Sequence, residues 1–179
     1  MNRRLPTQLL TSLTGTIVGA ALCCTVALAE SLPPLVKIDA SLRAAFSPII
    51  DEPRVQAALA SIVLAEPESI KEQIRLTEIP APPFMEQKRA EYFLGLLQQR
   101  GMSHTYIDDE GNVVVRRKGG GKGPLLVIAA HLDTVFPSDV DTQVEFRDQR
   151  YYAPGIGDDT RGLATMLSVM DALDSSGLQ

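Results

Sequence analysis

Pro124-Leu125-Leu126-Val127-Ile128-Ala129-Ala130-His131-Leu132-Asp133-Thr134 is the stretch on which the reading of this chain turns. It is the most apolar run outside the N-terminal segment, bounded by Gly119-Gly120-Gly121 before it and Phe136-Pro137-Ser138 after it. A short, continuously apolar run with β-branched residues at its centre and breakers at both ends predicts a buried strand of a parallel or mixed sheet. The carboxyl ends of such strands are where α/β folds place ligands and chemistry. A histidine and an aspartate in that position need a reason. Taken alone, His131 reads equally well as a core histidine bonded to a backbone carbonyl. Asp158-Asp159, 27 positions after the histidine, moves the balance toward a ligand.

Working outward, residues 1–29 have the form of a secretory signal. Arg3 and Arg4 make a basic start, an apolar, small-residue segment runs from about Leu9 to Leu28, and Ala27-Leu28-Ala29 is a small-x-small cleavage site. Export to the periplasm or medium is the expectation, with no stable membrane association after cleavage. Cys23 and Cys24 both lie in that segment, so the mature chain would have no disulfide even in an oxidising compartment. Removing Arg3 and Arg4, and no acid, leaves 15 basic against 22 acidic residues, a net charge of −7. That argues against nucleic acid or an anionic membrane as a partner. About 150 mature residues would suit one domain.

Residues 30–50 read as a loosely held leader, and 51–179 as part of a catalytic domain. Val55, Leu59, Ile62 and Val63 sit at helix spacing, as do Ile70 and Ile74 after a break at Glu66-Pro67. Ile79-Pro80-Ala81-Pro82-Pro83 forbids a helix and predicts an extended connector. A helix follows over about 84–100, with Ala90, Phe93, Leu94 and Leu97 on one face and Gly101 as its stop. Residues 103–107 and 113–117 predict a hairpin, with Arg116-Arg117-Lys118 on an exposed edge. Residues 142–146 and 151–153 predict a second one. Leu163, Met166, Leu167 and Met170 mark a last helix over about 162–173. His104 reads as a surface or half-buried histidine without a role. Gly119-Gly120-Gly121-Lys122-Gly123 is not a phosphate loop, because its spacing is wrong and a strand follows it.

Amide hydrolysis near neutral pH needs a strong nucleophile and a way to bear charge on the carbonyl oxygen. Two divalent cations sharing a water supply both. His131 is a suitable nitrogen ligand for zinc. Asp133, two residues on, could accept the other ring N–H and fix the imidazole's orientation. Asp158 or Asp159, at the mouth of a helix, is a candidate bridging carboxylate. The plainer account of that pair is helix capping, which can describe Asp159 even where Asp158 is a ligand.

His131-Leu132-Asp133-Thr134-Val135 with Gly157-Asp158-Asp159-x-x-Gly162-x-Ala164 resembles the first two motifs of the M20 family of co-catalytic metallopeptidases, the carboxypeptidase, aminoacylase and peptidase T relatives. The Ile79–Pro83 connector and the helix after it are similar to that family's N-terminal segment, and the resemblance covers about 66–173. It implies that His131 is a terminal metal ligand, Asp158 the bridging ligand, and Asp133 the carboxylate, counted as catalytic, that orients His131. It also implies a cis bond between Asp158 and Asp159. The expected cofactor is a pair of Zn2+ ions, with Co2+ or Mn2+ fitting the same donors.

The fold it implies is α/β, a mixed, mainly parallel sheet flanked by helices, forming part of a zinc-exopeptidase-like domain. The family's catalytic base is the first glutamate of a Glu-Glu pair. This chain holds no such pair and ends 21 residues past Asp158. The resemblance implies that the C-terminal half and the lid or dimerisation domain are missing from this sequence, and the family usually has Lys where Thr160-Arg161 stand. The expectation is the N-terminal portion of a longer, homodimeric peptidase acting on short peptides, inactive and poorly soluble as a fragment. An amidohydrolase of N-acyl amino acids and a non-catalytic secreted module keeping the scaffold are the other readings.

Overall fold

The computed structural model describes residues 38–121 and 123–178. The expected signal peptide and residues 30–37 of the expected leader lie outside the described residues. Contacts divide the chain into Met1–Ala40 and Ser41–Gln179, and the site belongs to the second unit. The described elements are α1 (Ala40–Ile50), α2 (Pro53–Glu78), α3 (Gln87–Gln99), β1 (Thr105–Ile107), β2 (Val113–Val115), β3 (Glu145–Arg147), β4 (Arg150–Tyr152) and α4 (Thr160–Ser175).

Helix ends follow local chemistry. The Glu52 carboxylate accepts the Val55 N–H at 2.9 Å and Pro53 occupies the first turn, where no donor is missed. Ile79-Pro80 ends α2: proline disfavours helical backbone in the residue before it, and Ile79 is extended at φ −87°, ψ 108°. Gly101, at φ +77°, closes α3: its N–H donates to Gln98 O at 2.9 Å and the Met102 N–H to Leu97 O at 3.2 Å. Gly177 closes α4 in the same way, through Asp174 O and Leu173 O. Both ends are paired 6→1 and 5→2 closures that satisfy the last carbonyls.

The core lies where α2, α3 and α4 meet. Leu76, Phe93, Leu96, Leu97, Met102, Leu163 and Leu167 are buried together, with Val113, Val115, Ala130 and Leu132 packed at the margin. Arg100–Asp171 and Arg117–Asp174 ion pairs at 3.0 and 2.8 Å add exposed links to α4. Each is worth under about 1 kcal/mol.

Residues 40–50, within the expected leader, form the helix α1, which buries none of its residues. Three expectations are corrected. There is no break at Glu66-Pro67: α2 runs through Pro67 for 26 residues. The proline removes one i→i−4 donor, but contacts with α4 hold the helix together. The apolar run 124–130 is not a buried strand. Leu125, Leu126 and Val127 are 76–82% exposed, and no backbone hydrogen bond pairs the run among the described residues. Finally, no parallel pair is seen among the described residues. The two sheets described are antiparallel two-stranded hairpins, β1–β2 and β3–β4. A hairpin closes locally through its turn, whereas a parallel strand needs a partner brought in by a long crossover. None of the described segments lies beside 124–130 in that way. The molecule is therefore a mixed helix and strand structure.

Leu167→Ala should lower unfolding free energy by about 3 kcal/mol, through lost burial and a cavity between α2, α3 and α4. Val63→Ala, on the exposed face of α2, should stay within about 0.5 kcal/mol. Urea denaturation of the two variants checks the assignment of the core.

Candidate metal centre

The site is built where the end of the apolar run meets the start of α4. Thr134 is buried, and its backbone N–H donates to Ala81 O at 2.8 Å in the proline connector. Its methyl lies against Gly155, whose φ of +76° lets the turn before α4 close over it. A side chain at 155 would have to displace that methyl.

Asp159 joins the two segments. Its Oδ1 accepts the Gly162 N–H at 3.0 Å, capping α4, and its Oδ2 accepts the His131 N–H at 3.3 Å. Gly162 is required here, because a Cβ would collide with the Asp159 carboxylate. Of the two aspartates, Asp159 is thus occupied by backbone donors. Asp158 is free of that duty, and its side chain is 89% exposed. The bond between them is cis.

The His131 ring sits between two aspartates, Asp158 and Asp133. Its Nε2 is 2.8 Å from Asp158 Oδ1. Its Nδ1 is 2.9 Å from Asp133 O and 3.1 Å from Asp133 Oδ1. All three oxygens are acceptors, so both ring nitrogens are placed to donate. The hydrogen bond to Asp158, and then those to Asp133, raise the His131 pKa above its ordinary value of 6.5, against a smaller opposing effect of burial. The structure therefore brings together His131, Asp133 and Asp158. His104 lies outside this group.

These residues fit a divalent cation in chemistry. One imidazole nitrogen faces a carboxylate and the other is held by a neighbouring acceptor, which is the usual way a ligand histidine is oriented. They provide two donors, whereas a catalytic zinc takes three from protein. Among the described residues no group of three or more His, Cys, Asp or Glu converges for a metal.

Arg89 was not expected. It is fully buried, with Nη1 donating to Leu132 O at 2.6 Å, and Nη2 and Nε donating to Ile79 O at 2.6 and 3.2 Å. It ties the connector to the peptide between His131 and Asp133. Burial pushes its pKa down to about 10, with the nearby Asp133 charge acting the other way, so it stays charged at neutral pH. A signal was present. Arg89 falls on the buried stripe of α3 with Phe93 and Leu96, a place where a solvated arginine does not belong.

Residues 112–179, which carry the whole of the His131–Asp158 cluster, match peptidase family M28. The match is to M28 rather than to M20, a related family; the similarity lies within the M20/M28-like zinc peptidases.

The chain is 35% identical, over 83 residues, to a protein of Pyrococcus furiosus named as a LysW-lysine/LysW-ornithine hydrolase, covering 46% of this chain and 24% of that one. It is 36% identical over 78 residues to a Pyrococcus abyssi protein of the same name, covering 44% and 22%. The chain thus spans about a quarter of the length of the curated relatives it matches. Both comparisons are with proteins described as peptidases or hydrolases.

Two outcomes test the cluster in metal-free protein. By NMR, His131 should titrate above 6.5, and Asp158→Asn should bring its midpoint down. A raised folded pKa means that this contact stabilises fully below the unfolded pKa of about 6.5, and that its contribution is lost as pH rises through the folded value. Arg89→Met should cost about 3 kcal/mol in urea denaturation, because two carbonyls lose charged donors and stay buried. Arg89→Lys, which can reach fewer acceptors at once, should recover only part of that loss.

Proposed function

We propose that this chain carries one side of the cation site of a zinc-dependent amide hydrolase of M20 type, acting on short peptides. The observation that carries the reading is the juxtaposition of His131 Nε2 with Asp158 Oδ1 at 2.8 Å, with Nδ1 held by Asp133. His131 and Asp158 would hold the metal and Asp133 would keep the imidazole presenting Nε2. The Asp158–Asp159 turn, fixed by the Asp159 cap, sets where the carboxylate stands. Bound zinc would supply an acidified water and a Lewis acid for the amide carbonyl.

The 179 residues contain no Glu-Glu pair to provide the expected proton-transferring base. Positioned proton transfer is worth roughly 10²–10⁴-fold. We therefore propose that the 179-residue chain by itself binds zinc weakly and turns over no peptide. We also propose export directed by residues 1–29, and a homodimer for any full-length form. A second reading, hydrolysis of N-acyl amino acids or a similar small amide, draws support from the relatives' names, which place lysine or ornithine in what they hydrolyse.

Zinc titration by calorimetry, with a chromophoric chelator as competitor, tests the site. His131→Ala and Asp158→Asn should each weaken binding by more than about tenfold, and Asp133→Asn by about 10–100-fold. Equal zinc affinity in all four proteins would refute the reading. Zinc-dependent cleavage of a dipeptide or tripeptide by the pure chain would refute the proposed inactivity.

A further inference from the structure

The segment that presents Asp158 is gripped from one side by α2. Gln73 and Thr77 stand one helical turn apart on that helix, so they share a face. The Gln73 Nε2 donates to Ile156 O at 2.7 Å. Four residues on, the Thr77 hydroxyl lies 2.7 Å from the Thr160 hydroxyl, and both side chains are fully buried. The two contacts hold the ends of Ile156–Thr160, and Asp158 and Asp159 lie between them. Gly157 adds no side-chain restraint of its own.

The other end of the Gln73 amide is also used. Its Oε1 accepts from Arg161 Nη1 at 3.3 Å, and Arg161 Nη2 reaches both Glu66 oxygens at 3.0 and 3.2 Å. Gln73 therefore touches the chain on both sides of the aspartate pair, at 156 and at 161. Only a side chain with a donor and an acceptor on one planar group does both.

We infer that Gln73 is a positioning residue of the cation site: by holding Ile156 O with its amide N–H and Arg161 with its amide oxygen, it fixes the turn that aims Asp158 at His131. This rests on the proposed reading of the site. Gln73 itself touches neither His131 nor Asp158 among its described hydrogen bonds. Its effect passes through the backbone of Ile156 and Gly157. Arg161, where the M20 resemblance leads one to expect lysine nearby, belongs to this brace and not to the ion-holding cluster.

The test compares Gln73→Met, Gln73→Glu and Glu66→Gln in the otherwise unchanged chain. Gln73→Met removes both contacts. Gln73→Glu keeps an acceptor for Arg161 and loses only the donor to Ile156 O. Glu66→Gln removes the charged anchor of Arg161 and leaves the Ile156 contact in place. Two readouts are taken: the affinity and visible absorption spectrum of added Co2+, and, without metal, the 15N shift of the His131 Nε2, which reports its contact with Asp158.

Both Gln73 variants should bind Co2+ about tenfold more weakly, with an altered absorption band, and both should move the Nε2 shift. Glu66→Gln should stay within about twofold of the parent in affinity, with the shift unmoved. An unmoved Nε2 shift in folded Gln73→Met and Gln73→Glu proteins overturns the inference whether or not metal binds. Retained affinity and shift in Gln73→Glu with loss in Glu66→Gln also overturns it, because the Arg161 brace would then be what matters. If the parent protein binds no Co2+ while the Gln73 variants still move the shift, the reading of a cation site fails and the positioning role of Gln73 stands.

Discussion

The Asp159 carboxylate is the constraint on which the site depends. One oxygen accepts the Gly162 N–H in the first turn of α4 and the other accepts the backbone N–H of His131. A single side chain thereby satisfies a helix terminus and joins two segments 28 residues apart. Helix starts leave donors unfilled and favour negative charge, so an aspartate is well suited to the position. With Asp159 engaged in this way, the carboxylate before it is left exposed and directed at the imidazole. Two adjacent aspartates thus take different roles because of what each one faces.

Around that junction, the molecule invests in rigidity at the backbone rather than at the donor atoms. Arg89 occupies the carbonyls of Ile79 and Leu132, Thr134 bonds Ala81, and α2 holds the turn at Ile156 and Thr160. The donor atoms themselves stay accessible: the His131 side chain is 48% exposed. This would suit the proposed cation site, because ordered surroundings lower the cost of gathering ligands while open donors keep the path clear.

Much of this was legible in the chain. Helical spacing located α2, α3 and α4, and turn residues located both hairpins. The His131 and Asp158 motifs, with the cap at Asp159, were readable because each residue type has a specific chemical use at its position. What was not legible depended on partners far away in sequence. An apolar run such as 124–130 has no period to tell a buried strand from an extended segment, and its burial depends on neighbours that the run does not encode. Pro67 signals a break, yet contacts along α4 keep α2 continuous. Gln73 looks like a solvated helix residue until its acceptor, 83 positions away, is in place, and the place of Arg89 on the apolar stripe of α3 does not name the carbonyl, 43 positions away, that it serves.

His131 and Asp158 are proposed to hold a cation together, and X-ray absorption at the zinc edge of the loaded protein tests this. The expected result is nitrogen and oxygen neighbours at about 2.0–2.1 Å with scattering from one imidazole, and the disappearance of that imidazole signature in His131→Ala. An unchanged imidazole signature in that variant would place the metal elsewhere and contradict the claim.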